Sequence, residues 1–525
     1  MLEVFDDTSA SGWTPASLQK WLERTLENDA VESFDVEVEA VSTPEVESEE
    51  ELDGLETSVP YTISYTSTAA TDPVVLEGDL GLTYADPGGW SIAWTEANMW
   101  PGIEGAVGFV VDVQKPKRGA ILDRKGRAVA KGPAANRRYP FGSVGGSTIG
   151  HIEPLTKKEV VEGQKPGDLV GVSGLEQGLE ELLTAASGGD LLVVDSGGEE
   201  LETVGSRPAG KPKSIKVTLD MEIQRAAENA YGATTGGAVV IEPQTGDLLA
   251  VVSSSPFDPN NYVGVPDIDP FNRALSGTYP PGSAMKVVTA SAALDTGTVK
   301  PNTTVTGPGE YKGVRNFESG EFGSIPFSVA TQNSVNTAFA QVAEELGAKT
   351  MTEYAEAFGF NKEPTMPLDA ATPSYPFPEN LTDLMWSSIG QAQVLASPMQ
   401  MATVAATVAN NGKRMEPRVV LGDKPSGERA MSPKAANTMT DLMELVVTGG
   451  TGTAANLGSP TVAGKTGTAE VSIGGKIENH AWFICFVPSS DPKIAVAVVS
   501  ELGGVGGQVA APIARQILQA VLPLI

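Results

Sequence analysis

Pro280-Pro281-Gly282-Ser283-Ala284-Met285-Lys286-Val287-Val288-Thr289-Ala290 runs from a loop into an apolar helix and sets a hydroxyl and an amine three residues apart. Residues at i and i+3 share a helix face, so the Lys286 amine can approach the Ser283 hydroxyl. A serine at a helix N-terminus also lies in a positive dipole field that favours a developing alkoxide and oxyanion. The S-x-x-K spacing alone decides little, because it recurs at Ser17-Leu18-Gln19-Lys20 and at Ser490-Asp491-Pro492-Lys493. The first of these falls in an amphipathic stretch where Lys20 is solvated, and the second has a proline inside a turn. Only Ser283 combines a loop ending in Pro-Pro-Gly with a helix that starts immediately after it.

Two motifs that each occur once follow in order: Ser334-Val335-Asn336, then Lys465-Thr466-Gly467-Thr468. S-x-x-K, S-x-N and K-T-G in this order form the set used for acyl transfer through an active-site serine. A free lysine amine has a pKa of about 10.4 and is a base only when neutral. Burial of Lys286 and a second nearby cation would both lower it, and the candidate second cation is Lys465. Ser334 is open to two readings: a helix N-cap, since Ser and Asn both cap well, or a relay passing a proton between Lys286 and a leaving amine. Asn336 can meet a substrate amide with both a donor and an acceptor.

K-T-G lies in a strand pattern ending in Ala469-Glu470-Val471. Gly467, with no side chain, lets a substrate backbone lie flat beside the strand and add to it as an extra strand. Lys465, Thr466 and Thr468 would then offer a charge and hydroxyls to a carboxylate. The backbone N–H groups of Ser283 and Thr468 would form an oxyanion hole, worth about 3–4 kcal/mol per donor.

The motifs sit in a large region that begins near residue 216. The spacing predicts a helix over 221–230 and apolar strands over 238–242 and 247–252, joined by a hairpin at Pro243-Gln244-Thr245-Gly246. Three more strands follow at 462–470, 482–487 and 494–500, after some 200 residues of mostly helix and loop. This predicts an antiparallel five-stranded sheet flanked by helices that are inserted in the middle of the sequence.

Upstream, residues 1–105 read as a small α+β module. It has an amphipathic helix at 14–26 with Thr14 and Pro15 as N-cap and N1, and strands at 34–41, 58–67, 75–83 and 90–94. Residues 44–56 are dense in Glu and read as a solvated loop. Residues 106–215 read as β-rich, with a hairpin turning at Lys125-Gly126; Asp123 and Arg124 there read as structural ion-pair residues. The expected divisions are therefore 1–105, 106–215 and 216–525, a multidomain α+β chain.

Composition narrows the chemistry. A formal charge of −30 argues against a nucleic-acid partner, which needs clustered Lys and Arg. The lone Cys485 excludes an intrachain disulfide and a thiolate metal cluster, and reads as a buried inert thiol. With only His151 and His480, a His-rich zinc site or a Ser-His-Asp triad is hard to build, so no metal and no histidine base is expected. Trp482 reads as core, His480 either as a residue near the site mouth or as a strand-start surface residue, and Glu470 either tunes Lys465 or is exposed. No apolar run reaches 18 residues, and Met1-Leu2-Glu3-Val4-Phe5-Asp6-Asp7 lacks the regions of a signal peptide.

Taken together, the motifs resemble those of class B penicillin-binding proteins, the peptidoglycan D,D-transpeptidases. Arg118-Gly119-x-Ile121-x-Asp123-Arg124-x-Gly126 is similar to the opening of that family's elongated pedestal, or dimerisation, region. Gly174-Leu175-Glu176, Val217-Thr218-Leu219-Asp220 with Gln224, Ile389-Gly390-Gln391, Ser397-Pro398-Met399-Gln400, Ala409-Asn410-Asn411-Gly412 and His480-Ala481-Trp482-Phe483 also match its pattern. The N-terminal module, ending Gly89-Trp90-Ser91-Ile92-Ala93-Trp94 and Met99-Trp100-Pro101, resembles the NTF2-like domain of methicillin-resistance-type members.

The resemblance implies that Ser283 attacks the penultimate D-Ala carbonyl of a peptidoglycan stem drawn from lipid II-derived strands, releases D-Ala, and passes the acyl group to an amine on a neighbouring stem. It implies acylation by β-lactams, no cofactor, membership of a cell-wall synthesis complex, and a place on the outer face of the cytoplasmic membrane (extracellular or periplasmic). The N-terminal anchor of such proteins is absent from this sequence, which fits an ectodomain. A serine β-lactamase using the same motifs is the alternative, as is a β-lactam or wall-peptide sensor without transfer. The lactamase reading lacks a clear E-x-x-L-N base, and the ~215 residues before the catalytic region fit it poorly.

Overall fold

The computed structural model describes residue 20 and residues 30–39, 53–85, 89–114, 117–160, 165–262, 271–422 and 424–525. The helix read at 14–26, apart from Lys20, most of the acidic loop at 44–56 and the end of the strand read at 34–41 lie outside them.

The five-stranded sheet is present and fully antiparallel. Its strands are Gly236–Ile241 (β1), Leu248–Ser253 (β2), Ala463–Ile473 (β3), Lys476–Val487 (β4) and Ile494–Ser500 (β5), in the spatial order β2-β1-β5-β4-β3. β1, β2 and β5 are buried on both faces, which explains why they read as continuous apolar runs rather than alternating ones. Val239, Ile241, Trp482, Ile484, Ala497 and Val499 point into the core built by the helices of the 200-residue insertion. Their neighbours Ala238, Val240, Phe483, Cys485, Val496 and Val498 face the opposite core with helices Met221–Tyr231 (α1) and Ala510–Val521 (α6). The insertion supplies Lys286–Asp295 (α2), Asn336–Ala357 (α3), Pro398–Ala409 (α4) and Pro433–Gly449 (α5).

A sheet edge presents unpaired N–H and C=O groups. At the β2 edge, Gln224 of α1 meets them: its Nε2 donates to the Val251 carbonyl and its Oε1 accepts from the Val251 N–H, both at 2.7 Å. Asp220, just before α1, caps the helix by accepting from the Glu222 N–H. The other edge is β3, which carries Lys465-Thr466-Gly467-Thr468.

By their contacts the described residues divide into two interleaved compact units, one within 1–117 and 184–212, the other within 118–183 and 213–525. The physical reason is strand pairing between distant residues. Gly108–Gln114 pairs with Gly188–Val194, which pairs in turn with Glu200–Arg207. In that first unit a four-stranded antiparallel sheet (Ser33–Val38, Glu56–Thr66, Val74–Ala85, Gly89–Ile92) shares one core with this three-stranded sheet. Tyr61, Ile63, Tyr65, Trp94, Met99 and Trp100 pack there with Phe109, Leu191 and Val193.

In the second unit, the described residues of 118–183 hold short strands at Ile121–Leu122, Ala128–Ala130, Ile152–Pro154 and Leu169–Gly171, together with short helices at Gly146–Ile149, Gly174–Gly178 and Glu180–Leu183. The hairpin turn at Lys125-Gly126 is there, with Gly126 at φ +85°. Charge pairs fix this segment. Glu176, fully buried, takes Arg118 at 2.8 Å and Arg137 at 2.7 Å. Asp123 and Arg124 are structural, but with other partners: Asp123 binds Arg127 at 2.7 Å, and Arg124 approaches Asp247 at 3.8 Å. Among the described residues no helix is long and apolar enough to cross a membrane.

Candidate active site

Ser283 lies in a 3₁₀ turn, Gly282–Met285, and the α-helix proper begins at Lys286. In a 3₁₀ turn side chains at i and i+3 eclipse, so Ser283 and Lys286 are brought nearer to one line than in an α-helix. The turn is docked on β3. Gly282 has φ +53°, a region glycine enters at no cost, and a Cβ on it would stand 2.5 Å from the Thr468 carbonyl oxygen. The Trp482 indole donates to the Pro280 carbonyl at 2.9 Å, and the Gly282 N–H donates to Gly390 at the same distance.

Gly467 has a role that the sequence reading placed elsewhere. A Cβ there would lie 2.6 Å from the Pro281 carbonyl oxygen and 2.8 Å from Trp482 Cβ. Its missing side chain therefore makes room for the chain's own serine-bearing loop, and flatness toward a substrate is a further consequence of the same absence. Gly467→Ala should force that loop away from β3 and slow acylation of Ser283 by about 10–100-fold, since a displacement of ~1 Å at reacting atoms carries a cost of that order. Single-turnover labelling with a fluorescent penicillin measures it; a rate within about threefold of wild type would refute this packing role.

Lys286 is fully buried and its Nζ donates to the Ser334 carbonyl at 2.7 Å, to Ser334 Oγ at 3.1 Å and to Asn336 Oδ1 at 2.5 Å. Among the described residues no hydrogen bond joins it to Ser283. Such bonds commonly tighten only when substrate is present. Burial, then the neighbouring Lys465, pushes the Lys286 pKa well below its ordinary value. Lys465 is also fully buried, and burial brings its pKa down to about 7. Its Nζ donates to Ser334 Oγ at 2.8 Å and to the Thr466 carbonyl at 3.0 Å. One serine hydroxyl thus stands between two buried amines.

Ser334 is not the helix cap. The cap position of α3 is Val335, without a side-chain cap, and the Ser334 hydroxyl faces the lysines. Its backbone is left-handed at φ +58°, a conformation costing a serine roughly 1–3 kcal/mol and kept only where surrounding bonds over-determine it.

A cavity of about 700 Å³ opens above this group, lined by Ser283, Ser334, Asn336, Thr466, Thr468 and the exposed Glu470, among others. Thr466, Thr468 and Glu470 alternate to one face of β3, whereas Lys465 points away from the cavity wall toward Lys286. Thr468 Oγ1 accepts from the Gly506 N–H at 3.2 Å, and Thr466 Oγ1 lies 2.6 Å from Thr451 Oγ1. Asn336 directs its amide N–H₂ to the Arg315 carbonyl at 2.7 Å. Both of its polar atoms are therefore engaged within the chain.

Arg315, Asn316, Trp386 and Thr451 line the cavity too, and no sequence motif pointed to them. The only available signal was a local one, the Lys312-Gly313 turn that brings Arg315 back toward the rim. His480 is half-buried on β4, where its Nδ1 accepts from the Leu502 N–H and Tyr279 packs edge-on against its ring at 5.2 Å. It belongs to the strand interior near Tyr279 and not to a strand-start surface. His151 is buried and bonded to Ser173. Cys485 is buried on β4, and burial pushes its thiol pKa up, as an inert thiol requires.

Comparison with known proteins agrees with this geometry. The penicillin binding protein transpeptidase domain family matches residues 236–519, and the penicillin-binding protein dimerisation domain family matches residues 132–217. Peptidoglycan D,D-transpeptidase PbpA of Mycolicibacterium smegmatis is 36% identical over 360 residues, 59% of this chain and 72% of that protein. Peptidoglycan D,D-transpeptidase MrdA of Acinetobacter baumannii is 30% identical over 431 residues, 71% of this chain and 64% of that protein. The crystal structure of Pseudomonas aeruginosa PBP2 in complex with WCK 5153 superposes with a TM-score of 0.67 at 28% identity, covering 79% of this chain and 97% of that one. PBPA from Mycobacterium tuberculosis gives 0.63 at 28% identity, covering 77% and 98%. The chain belongs to the penicillin-binding protein transpeptidase family, as a class B-type member with a dimerisation domain, and is a serine-type peptidoglycan D,D-transpeptidase.

Proposed function

We propose that Ser283 is the nucleophile and that neutral Lys286 is its base. In the first half-reaction Ser283 Oγ bonds to the penultimate D-Ala carbonyl carbon of a stem while its proton moves to Lys286 Nζ. The Ser283 and Thr468 backbone N–H groups meet the oxyanion that forms. As the peptide bond breaks, Ser334 passes a proton from Lys286 to the departing D-Ala amine, leaving an ester on Ser283. In the second half-reaction an amine of a neighbouring stem attacks that ester, Lys286 takes the amine's proton and hands it to Ser283 Oγ, and Ser283 leaves as the restored hydroxyl. Lys465 keeps Lys286 neutral and fixes Ser334. Thr466 and Thr468 offer hydroxyls to the substrate carboxylate, and Asn336 presents its amide from the turn it shares with Ser334. Gly467 keeps β3 open where substrate backbone and serine loop meet.

The observation that carries this reading is the Ser334 hydroxyl held 3.1 Å from Lys286 Nζ and 2.8 Å from Lys465 Nζ, with both amines buried and both pKa values lowered. Burial removes the water that would otherwise keep two ammonium groups charged.

The further assignments are part of the same proposal. Peptidoglycan stems from lipid II-derived strands are the donor and acceptor, and β-lactams acylate the same serine. The enzyme works on the outer face of the cytoplasmic membrane, held by an N-terminal anchor, with a cell-wall synthesis complex as its setting. Residues 1–105 form the NTF2-like module, 106–215 the pedestal and 216–525 the transpeptidase. The sheet that buries Trp94, Met99 and Trp100 supports the first of these, and the two matched ranges support the other two.

A donor mimic tests the reaction type: a D-Ala-terminated peptide ester is supplied with a D-amino acid as acceptor. The amide product should form faster than the hydrolysed acid. Hydrolysis without amide product, or acylation with no turnover, would contradict transfer and favour the lactamase-like or sensor alternatives.

A further inference from the structure

Asn316 lines the cavity yet turns all of its polar atoms into the protein. It is 5% exposed. Its Nδ2 donates to the Pro308 and Gly320 carbonyls, both at 2.8 Å. Its Oδ1 accepts from the Thr337 N–H at 3.0 Å and from Thr337 Oγ1 at 3.2 Å. Thr337 is the second residue of α3, whose first N–H groups have no partners within the helix. A side-chain oxygen one residue before the helix usually supplies one. Val335 occupies that position here and has none to give, so the cap comes from a loop residue 21 positions earlier.

The turn being capped is the one that carries the site. Ser334 sits there at φ +58°, and its carbonyl and hydroxyl both take Lys286. Arg315, the residue before Asn316, accepts from the Asn336 amide. Two consecutive rim residues therefore clamp the start of α3, one at each side of its first turn. Without the Asn316 oxygen the Thr337 N–H is buried without a partner, which loosens the helix start that follows the strained Ser334.

We infer that Asn316 is a positioning residue for acyl transfer: it caps α3 from outside the helix and so holds Ser334 and Asn336 against Lys286. The inference rests on the reading of Ser283, Lys286 and Ser334 given above. It predicts that the oxygen of Asn316 matters more than its amide N–H₂.

The test uses the whole chain and a fluorescent penicillin, with rapid-mixing kinetics that separate the half-saturating concentration from the limiting acylation rate. Asn316→Leu, which removes the acceptor and the donors, should lower the limiting rate at least ~10-fold while the half-saturating concentration moves less than about threefold. Asn316→Asp keeps an acceptor for Thr337 at a helix N-terminus and loses both donors, so its limiting rate should stay within about threefold of wild type. A role confined to holding the loop would slow both variants alike. Wild-type speed in Asn316→Leu, or an Asn316→Asp variant as slow as Asn316→Leu, would overturn the inference. If Asn316→Leu does not fold, Asn316→Asp decides alone, with a loss beyond ~10-fold counting against it. Failure of the underlying reading would look different, because wild type itself would acquire no label on Ser283.

Discussion

Replacing Lys286 by Met should slow acylation of Ser283 by about 10³-fold, equivalent to about 4 kcal/mol of lost transition-state stabilisation. Methionine keeps most of the apolar stem in the packed interior while removing the group proposed to accept the serine proton. The substitution also leaves the Ser334 carbonyl, Ser334 Oγ and Asn336 Oδ1 without the donor they now share. Those groups are half-buried, so a somewhat lower melting temperature should accompany the loss of rate. A rate reduction with the fold intact by circular dichroism is the expected combination. Acylation within about tenfold of wild type would remove Lys286 from the role of base.

The same assignment fixes a pH dependence. Below its folded pKa, Lys286 is an ammonium and cannot take a proton, so acylation should rise as pH climbs through that value and then level. Burial and Lys465 place the value well below 10.5, which makes the rise end far earlier than a free lysine would allow. Lys465→Met removes the neighbouring charge, raises the Lys286 pKa, and should move the rise to higher pH. A rise that stays put, or moves to lower pH, would show that Lys465 does not act on Lys286 in this way.

Ser283→Ala should have the largest effect of any substitution in the chain. Loss of a nucleophile in serine acyl-transfer enzymes costs on the order of 10⁶ in turnover, and Ser283 lines the cavity. Ser334 is the nearest competitor, but its hydroxyl is engaged by both lysines and its backbone is locked in the left-handed region. Alanine removes little volume from a half-buried turn, so stability should change by no more than ~1 kcal/mol. Loss of activity should therefore appear without loss of fold.

Much of this was legible in the sequence because it rests on local rules. β1, β2 and β5 announced themselves as short apolar runs, and their continuity, without alternation, reflects burial on both faces of the sheet. The turn at Pro243 to Gly246 and the capped start of α1 at Asp220 follow from residue preferences a few positions wide. Lys286 could be tied to Lys465 in advance because the expected lowering of its pKa called for a second cation, and the structure places the two on one serine hydroxyl. What escaped is what depends on contacts between distant residues. Gly108–Gln114 and Gly188–Val194 carry no sign that they pair across some 75 residues. The closeness of Gly467 to the loop at Pro281 escaped because the two lie far apart in sequence. Asn316 reads as one more loop asparagine until α3 is found to begin with an uncapped valine.

The central claim is that Ser283 alone receives the acyl group. Peptide mapping by mass spectrometry after exposure to benzylpenicillin tests it most directly, on wild type and on Ser283→Ala. The account predicts one penicilloyl adduct on wild type, carried by the peptide that contains Ser283, and none on the variant. An adduct that maps to Ser334, Ser17 or Ser490, or that persists on Ser283→Ala, would contradict it.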